Sequence, residues 1–225
     1  MSFVKFTLGD IRNSVKRKLD DPSFDDAIID EAANDFQFEL FNDNRIRFME
    51  QNTAISVTAG ASESVDLPND YMTLIRATML YSPTQPQNIT DYEMDYDEFM
   101  EQYATYSVAP AGKPLEWTFF GEKMRFNRPS DATYSINIDY LRSPKIMATA
   151  TDTCELPINC RELMTLGTLE RVMRVNEDYN EADAELGRLQ GLRTAFVRNY
   201  GRGSGTLKPR VIKSGRAMVR RQTEW

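Results

Sequence analysis

Helical periodicity at both ends of the chain, with β-type alternation between them, restricts the fold more than any other feature of its 225 residues. Thr7-Leu-Gly-Asp10 has the shape of a capping box with Asp in the last place, and Leu8, Ile11, Val15 and Leu19 then recur at near-helical spacing. That predicts a first helix over 8–19, stopped by Asp20-Asp-Pro22. Ser23 with Asp26 repeats the capping logic ahead of Ile28, Ile29, Ala32, Ala33, Phe36 and Leu40, predicting a second helix that ends near residues 42–44. Towards the other end, Leu163, Leu166, Leu169, Val172 and Met173 form one stripe. Ala184, Leu186, Leu189, Leu192, Ala195, Phe196 and Tyr200 form another. Residues 176–180 separate the two, with Glu177, Asp178 and Glu181 where acids favour a helix start. A helix carrying one narrow stripe cannot bury it alone, so the simplest solution packs the first and last helix pairs into one bundle.

After Arg47 the texture changes to short β-branched and aromatic runs divided by turn residues. Residues 53–58 and 65–67 are expected as strands around a hairpin turn at 59–62. Residues 71–81 (YMTLIRATMLY) are expected as a strand, although their apolar density also permits a helix. Pro83, Pro86 and Asn88 predict a loop, and residues 91–103 a short helix. Runs 115–120, 123–126 and 134–140 alternate well and predict further antiparallel strands. The fold class is therefore α+β: a helical bundle from N- and C-terminal helix pairs, an inserted small antiparallel β domain, and an extended C-terminal tail. The expected division is 1–47 and 154–200 for the bundle, 48–153 for the insertion and 201–225 for the tail.

Charge is unevenly placed. Residues 201–225 hold seven bases and one acid, a net +6, which leaves −13 on the rest of a chain whose total is −7. Tyr200-Gly-Arg-Gly-Ser-Gly205 ends the preceding helix, and the segment beyond it has no sustained period, so it is expected to be disordered in the free protein. Its apolar residues Leu207, Val211, Ile212, Met218, Val219 and Trp225 stand between bases, a pattern suited to folding on a partner. The opposite sign is concentrated in residues 91–101, which hold six acids, and no base occurs between Arg76 and Lys113. That run is either a solvated helix face or a surface that repels DNA or docks a basic neighbour.

Several chemistries are disfavoured. The chain has no His, which removes the usual Ser/His and Cys/His nucleophile pairs. Its two cysteines, Cys154 and Cys160, are too far apart for a C-x-x-C site and too few for a disulfide framework, and are expected to be ordinary thiols. Gly201-Arg-Gly-Ser-Gly205 lacks the Lys-Ser/Thr ending of a phosphate loop and follows a helix. Glu93 with Asp95, and Asp97 with Glu101, lack the ligand order of a hard-cation site. No cofactor, metal or catalytic residue is expected. Trp117, Phe119, Phe126, Tyr134 and Tyr140 are expected to pack a core, because a stacking platform for single strands would need more bases than Arg125, Arg128 and Arg142 provide. No apolar run has the length of a signal peptide or membrane span, so synthesis in the cytoplasm is expected.

The order of motifs then resembles a known family. Leu67-Pro-Asn-Asp-Tyr71 before a strand, Gly112-Lys-Pro114 leading into Trp117-Thr-Phe-Phe, Met124-Arg-Phe-Asn-Arg-Pro129, Ile138-Asp-Tyr140 and Leu156-Pro157 opening a helix pair look like the head-to-tail adaptor (connector) proteins of tailed bacteriophages. The resemblance covers about residues 7–205. It implies a structural virion protein of the neck, located at the head-tail interface. It implies a homo-oligomeric ring of twelve copies beneath the portal protein, joined to further tail or nozzle proteins, with genomic DNA passing through without sequence-specific contact. Leu67, Pro68, Gly112, Pro114 and Pro129 would then be folding determinants. The resemblance further implies a portal-binding tail, carried by Arg202, Leu207, Lys208, Arg210, Val211, Ile212, Lys213, Arg216, Arg220, Arg221 and Trp225.

Two other readings remain open at this stage. A nucleic-acid-binding protein would use the basic tail to neutralise phosphates, with steeply salt-dependent affinity. A carboxylate-dependent hydrolase would need two acids whose single replacement abolishes turnover.

Overall fold

Helix α1 (Leu8–Leu19) begins where its capping box predicts. In the computed structural model, which describes residues 5–42, 45–60, 65–82 and 84–201, the Asp10 N–H donates to Thr7 Oγ1 at 3.2 Å and the Thr7 N–H donates to the Asp10 carboxylate at 2.9 Å. That backbone hydrogen bond from Thr7 is the main reason the Asp10 carboxyl is held below its ordinary range. Asp20, in the left-handed region at φ 54, closes the helix by donating its N–H to the Lys16 carbonyl. Lys16, Arg17 and Lys18 fill the last turn, where cations oppose the helix dipole.

Helix α2 (Asp26–Asn42) starts differently from the prediction. Asp25, not Ser23, accepts the Ala27 N–H at 2.9 Å, while Ser23 is held by the Asp21 carboxylate. The cap is the acid adjoining the helix because its side chain reaches the first-turn N–H directly. α2 buries Ile29, Ala32, Ala33, Phe36, Gln37, Leu40 and Phe41. Helix α3 (Tyr96–Gln102) lies in the middle of the chain, and α4 (Arg161–Val175) and α5 (Tyr179–Tyr200) follow. α4 packs against α1, α2 and α5 and buries every residue from Leu163 to Leu169. α5 buries only Ala182, Leu189 and Phe196. Ala184 of its predicted stripe is exposed, and Leu186, Leu192, Ala195 and Tyr200 are half-buried, because α5 packs chiefly on one helix, α4.

The strands are β1 (Glu50–Val57), β2 (Val65–Asp66), β3 (Tyr71–Leu80), β4 (Pro86–Asn88), β5 (Trp117–Phe120), β6 (Lys123–Phe126) and β7 (Tyr134–Arg142). They form a four-stranded sheet in the order β1-β7-β3-β4 and a three-stranded sheet in the order β2-β6-β5. β1 and β2 therefore do not make the predicted hairpin; they belong to different sheets. β2 pairs with β6 instead, Val65 opposite Met124. The expected loop at Pro86 and Asn88 is the short edge strand β4, antiparallel to β3 with Thr78 opposite Asn88. Pro86 opens it at the sheet edge, where a missing N–H costs no ladder bond. Residues 71–80 are strand, not helix. β5 and β6 form a two-residue hairpin, Phe120 opposite Lys123, with Gly121 at φ 61 as such turns require.

Alternation on β7 buries Tyr134, Ile136, Ile138 and Tyr140 on one face. They share a core with Val57, Ala77, Met79, Trp117, Met124 and Phe126, so residues from both sheets fill it. Trp117 is fully buried and its Nε1–H donates to the Ile89 carbonyl at 2.7 Å. The described residues up to Gln51 and from Leu141 onward form one compact unit, and Asn52–Tyr140 another. Within the first unit, residues 145–155 are tied to α1 and α2. Asn34 donates to and accepts from the Met147 backbone, at 3.0 and 2.9 Å, and Gln37 donates to the Lys145 carbonyl at 3.1 Å.

Candidate assembly surfaces

The motif residues close turns and fill the core. Leu67 is buried and its N–H donates to the Glu122 carbonyl at 3.0 Å, while Tyr71 N–H donates to Pro68 at 2.9 Å. The Gly112 N–H donates to the Pro129 carbonyl at 2.9 Å, which joins two motifs that lie apart in sequence. A Cβ at Gly112 would approach the Arg128 side chain to 3.1 Å, so the glycine suits that close passage. Tyr140 Oη donates to Asp70 at 2.8 Å. Trp117, Phe126, Tyr134 and Tyr140 are buried and Phe119 is partly buried against them, so these aromatics form a core and not a stacking platform.

The predicted tail residues Arg202, Leu207, Lys208, Arg210, Val211, Ile212, Lys213, Arg216, Arg220, Arg221 and Trp225 lie outside the described residues. The described chain ends at Gly201, held by its N–H on the Val197 carbonyl at 2.8 Å and by a bridge to Ile46. Tyr200 and Asn159 exchange hydrogen bonds beside it at 2.7 and 3.0 Å.

The acidic run 91–101 occupies a 3-10 turn over Thr90–Tyr92 and helix α3. Asp95 caps α3 by accepting the Asp97 N–H at 3.0 Å, and Phe99 is its buried anchor. Asp91, Asp95, Asp97 and Glu101 are exposed, and none of these four meets a base among the described residues. Next to them Tyr96 stacks on the exposed Phe120 with ring centroids 4.8 Å apart, and the Arg125 guanidinium lies 3.9 Å from the Phe120 ring centroid.

A basic cleft of about 520 Å³ lies between the end of α1 and the start of α4, bordered by Arg17, Lys18, Ile158, Asn159 and Arg161. Arg161 donates to Ser14 Oγ at 3.1 Å and pairs loosely with Asp10 at 3.5 Å, which orients its guanidinium at the cleft. Glu162, also on its border, is paired with Arg188. Arg17 and Lys18 are exposed and meet no acid among the described residues. These bases are brought together across some 140 positions of sequence, so no local signal could have marked the cleft.

A second charged cluster lies between α4 and α5. Glu39 accepts from Arg171 and, at 2.7 Å, from Arg193, and both guanidiniums lie over the Phe36 ring, at 5.9 and 5.0 Å. Burial, with Arg193 adding to it against Asp35, pushes the Arg171 pKa down from its ordinary value. Cys154 and Cys160 are free and buried, and burial pushes their thiols up to about 12 and about 11. Among the described residues no group of three or more Cys, Asp or Glu could hold a metal ion, and no helix is long and apolar enough to cross a membrane.

No curated protein matches the chain. The sequence model of the SU10 adaptor proteins matches residues 6–213, both the helical unit and the β unit, in a chain whose motif residues serve folding. The chain belongs to this family of phage head-to-tail adaptor proteins, structural proteins of the virion whose adaptor role implies association with portal and tail proteins.

Proposed function

We propose that the chain forms a closed homo-oligomeric ring, twelve copies by family likeness, beneath the portal, joining it to the tail or nozzle proteins and continuing the DNA channel. The observation that carries this reading is the family match over residues 6–213. In this reading the N- and C-terminal helix pairs are one bundle with the β segment inserted in it, expected as 48–153 and compact over Asn52–Tyr140; the packing of α4 on α1, α2 and α5 supports that arrangement.

Function is association, without turnover. Neighbouring copies would meet through a heterologous contact that closes by rotation. Residues 201–225 would order on the portal, where Leu207, Val211, Ile212 and Trp225 offset the entropy cost and the seven bases pair with acids. Repetition in every copy of two symmetric rings makes detachment of one tail inconsequential. The acidic balance of the rest of the chain repels phosphate, which suits a passage that DNA must slide through. Co-sedimentation with the cognate portal ring tests the reading: stoichiometric binding supports it, and absence of binding rejects it.

A further inference from the structure

Two surfaces of this chain carry opposite charge that the described residues leave largely unpaired, and each has apolar area beside the charge. On the first, Asp91, Asp95, Asp97 and Glu101 are exposed along the 3-10 turn and α3, with Tyr92 38% and Phe120 46% exposed at their side. Asp97 and Glu101, four residues apart on α3, share a face, and the Asp95 cap fixes that face in place. On the second, Arg17 and Lys18 at the end of α1 meet no acid among the described residues, Arg161 is held in position by Ser14 and Asp10, and Ile158, 43% exposed, gives the cleft of about 520 Å³ an apolar border.

We infer that the α1/α4 cleft receives the acidic α3 segment of a second copy of this chain. The inference rests on the ring reading and names the two surfaces that meet. Charge complementarity points to that occupant: the cleft is basic, with its one acid, Glu162, already committed to Arg188, while the four exposed acids of the segment outnumber the one base beside them, Arg125, which lies on the Phe120 ring and pairs with none of the four among the described residues. An aromatic such as Tyr92 suits Ile158, whereas a phosphate backbone gains nothing from an apolar border. Both surfaces belong to every copy in equal number and differ from each other, so the contact is heterologous and all copies are satisfied only when the ring closes. Charges placed this way set the register and speed of assembly, and like charges put in their place oppose it.

The test uses full-length chain in two charge-reversed versions, Arg17→Glu with Lys18→Glu, and Asp97→Lys with Glu101→Lys. Circular dichroism and thermal melting check that each folds as the parent does, and Asp95 is left alone because it caps α3. Ring closure on the cognate portal is read by ring-averaged electron microscopy and native mass. We expect each version alone to close rings at least about tenfold less well than the parent. A 1:1 mixture should restore closure, with the two versions alternating, because each reversed cleft then meets a reversed helix. If both versions close rings as the parent does, or if neither closes alone and the mixture gives no rescue, the contact is wrong and the ring reading stands. If the parent chain itself forms no ring on the portal, the ring reading fails and takes the contact with it.

Discussion

Gly167 of α4 passes so close under the ring of Phe36 on α2 that a Cβ there would lie 2.2 Å from the Phe36 Cε2 and Cζ atoms. The glycine sits in mid-helix, where it costs about 1 kcal/mol against alanine, and the close approach of two helices explains its use. Gly167→Ala should therefore destabilise in spite of its better propensity. With a clash this close, an overpacking cost at the upper end of about 1–3 kcal/mol outweighs the helical gain. The expected fall in Tm is about 2–8 °C. Calorimetry of the single variant and of Gly167→Ala with Phe36→Leu should show the second substitution costing less in the alanine background than in the parent. A gain of stability for Gly167→Ala would refute the packing described.

Gln37 is fully buried on α2, and its amide pairs in both directions with the segment that returns from β7. It donates to the Lys145 carbonyl at 3.1 Å and accepts from the Glu155 N–H at 3.3 Å and the Cys154 thiol at 3.2 Å. Gln37→Leu keeps the volume and leaves those backbone groups unpaired, at an expected cost of about 2–4 kcal/mol. Urea unfolding measures it. Hydrogen exchange at Glu155 should accelerate in the variant while amides of the β unit are unchanged.

Glu155 is buried between Arg142, at 2.9 and 3.2 Å, and Lys5, at 3.2 Å. Burial pushes its carboxyl up, but the hydrogen bonds and charge of Arg142, with Lys5 adding to them, hold it below the ordinary range. A lowered folded value means the ion pair stabilises fully above the ordinary carboxyl range, and that stabilisation is lost as pH falls through the folded value. Glu155→Gln should cost about 1–3 kcal/mol at pH 7, less than a fully buried pair because Lys5 is partly exposed. The gap between parent and variant should close on acidification below about pH 4. A gap independent of pH would show that packing and not charge accounts for the loss.

With thiols raised to about 12 at Cys154 and about 11 at Cys160, both cysteines are protonated at pH 8. Alkylation by iodoacetamide in the folded protein should be at least about a hundredfold slower than in urea, where an ordinary thiol pKa near 8.5 returns. Rapid labelling of either residue in the folded chain would place it at the surface, contrary to the structure.

The helices were legible because capping and stripe are local. Thr7 with Asp10, and the recurrence of Leu163, Leu166 and Leu169, need no knowledge of the rest of the chain. Sheet membership was not, because β1 and β2 look like neighbours in sequence but each chooses a partner far along the chain, β7 and β6. Pro86-Gln87-Asn88 is a strand only by virtue of the β3 backbone opposite it, which no residue preference reveals. Asn34 and Gln37 read as ordinary polar residues between apolar ones, and their partners lie more than 100 positions away. The basic cleft was hidden for the same reason, since Arg17 and Arg161 meet only in the folded unit. The acidic run, by contrast, was visible at once, and the structure added that four of its acids are exposed and unpaired by any described base.

The central claim is tested most directly by binding to the portal. Purified full-length chain and a version ending at Tyr200 are each mixed with the cognate portal ring, and bound stoichiometry is read by native mass and ring-averaged electron microscopy. The account predicts saturation at one copy per portal subunit for the full chain and a loss of at least about tenfold in affinity on truncation, since the apolar anchors and bases beyond Gly201 are then missing. Absence of portal binding by either form, with salt-dependent DNA affinity that disappears on truncation, would contradict it and identify the tail as a nucleic-acid contact.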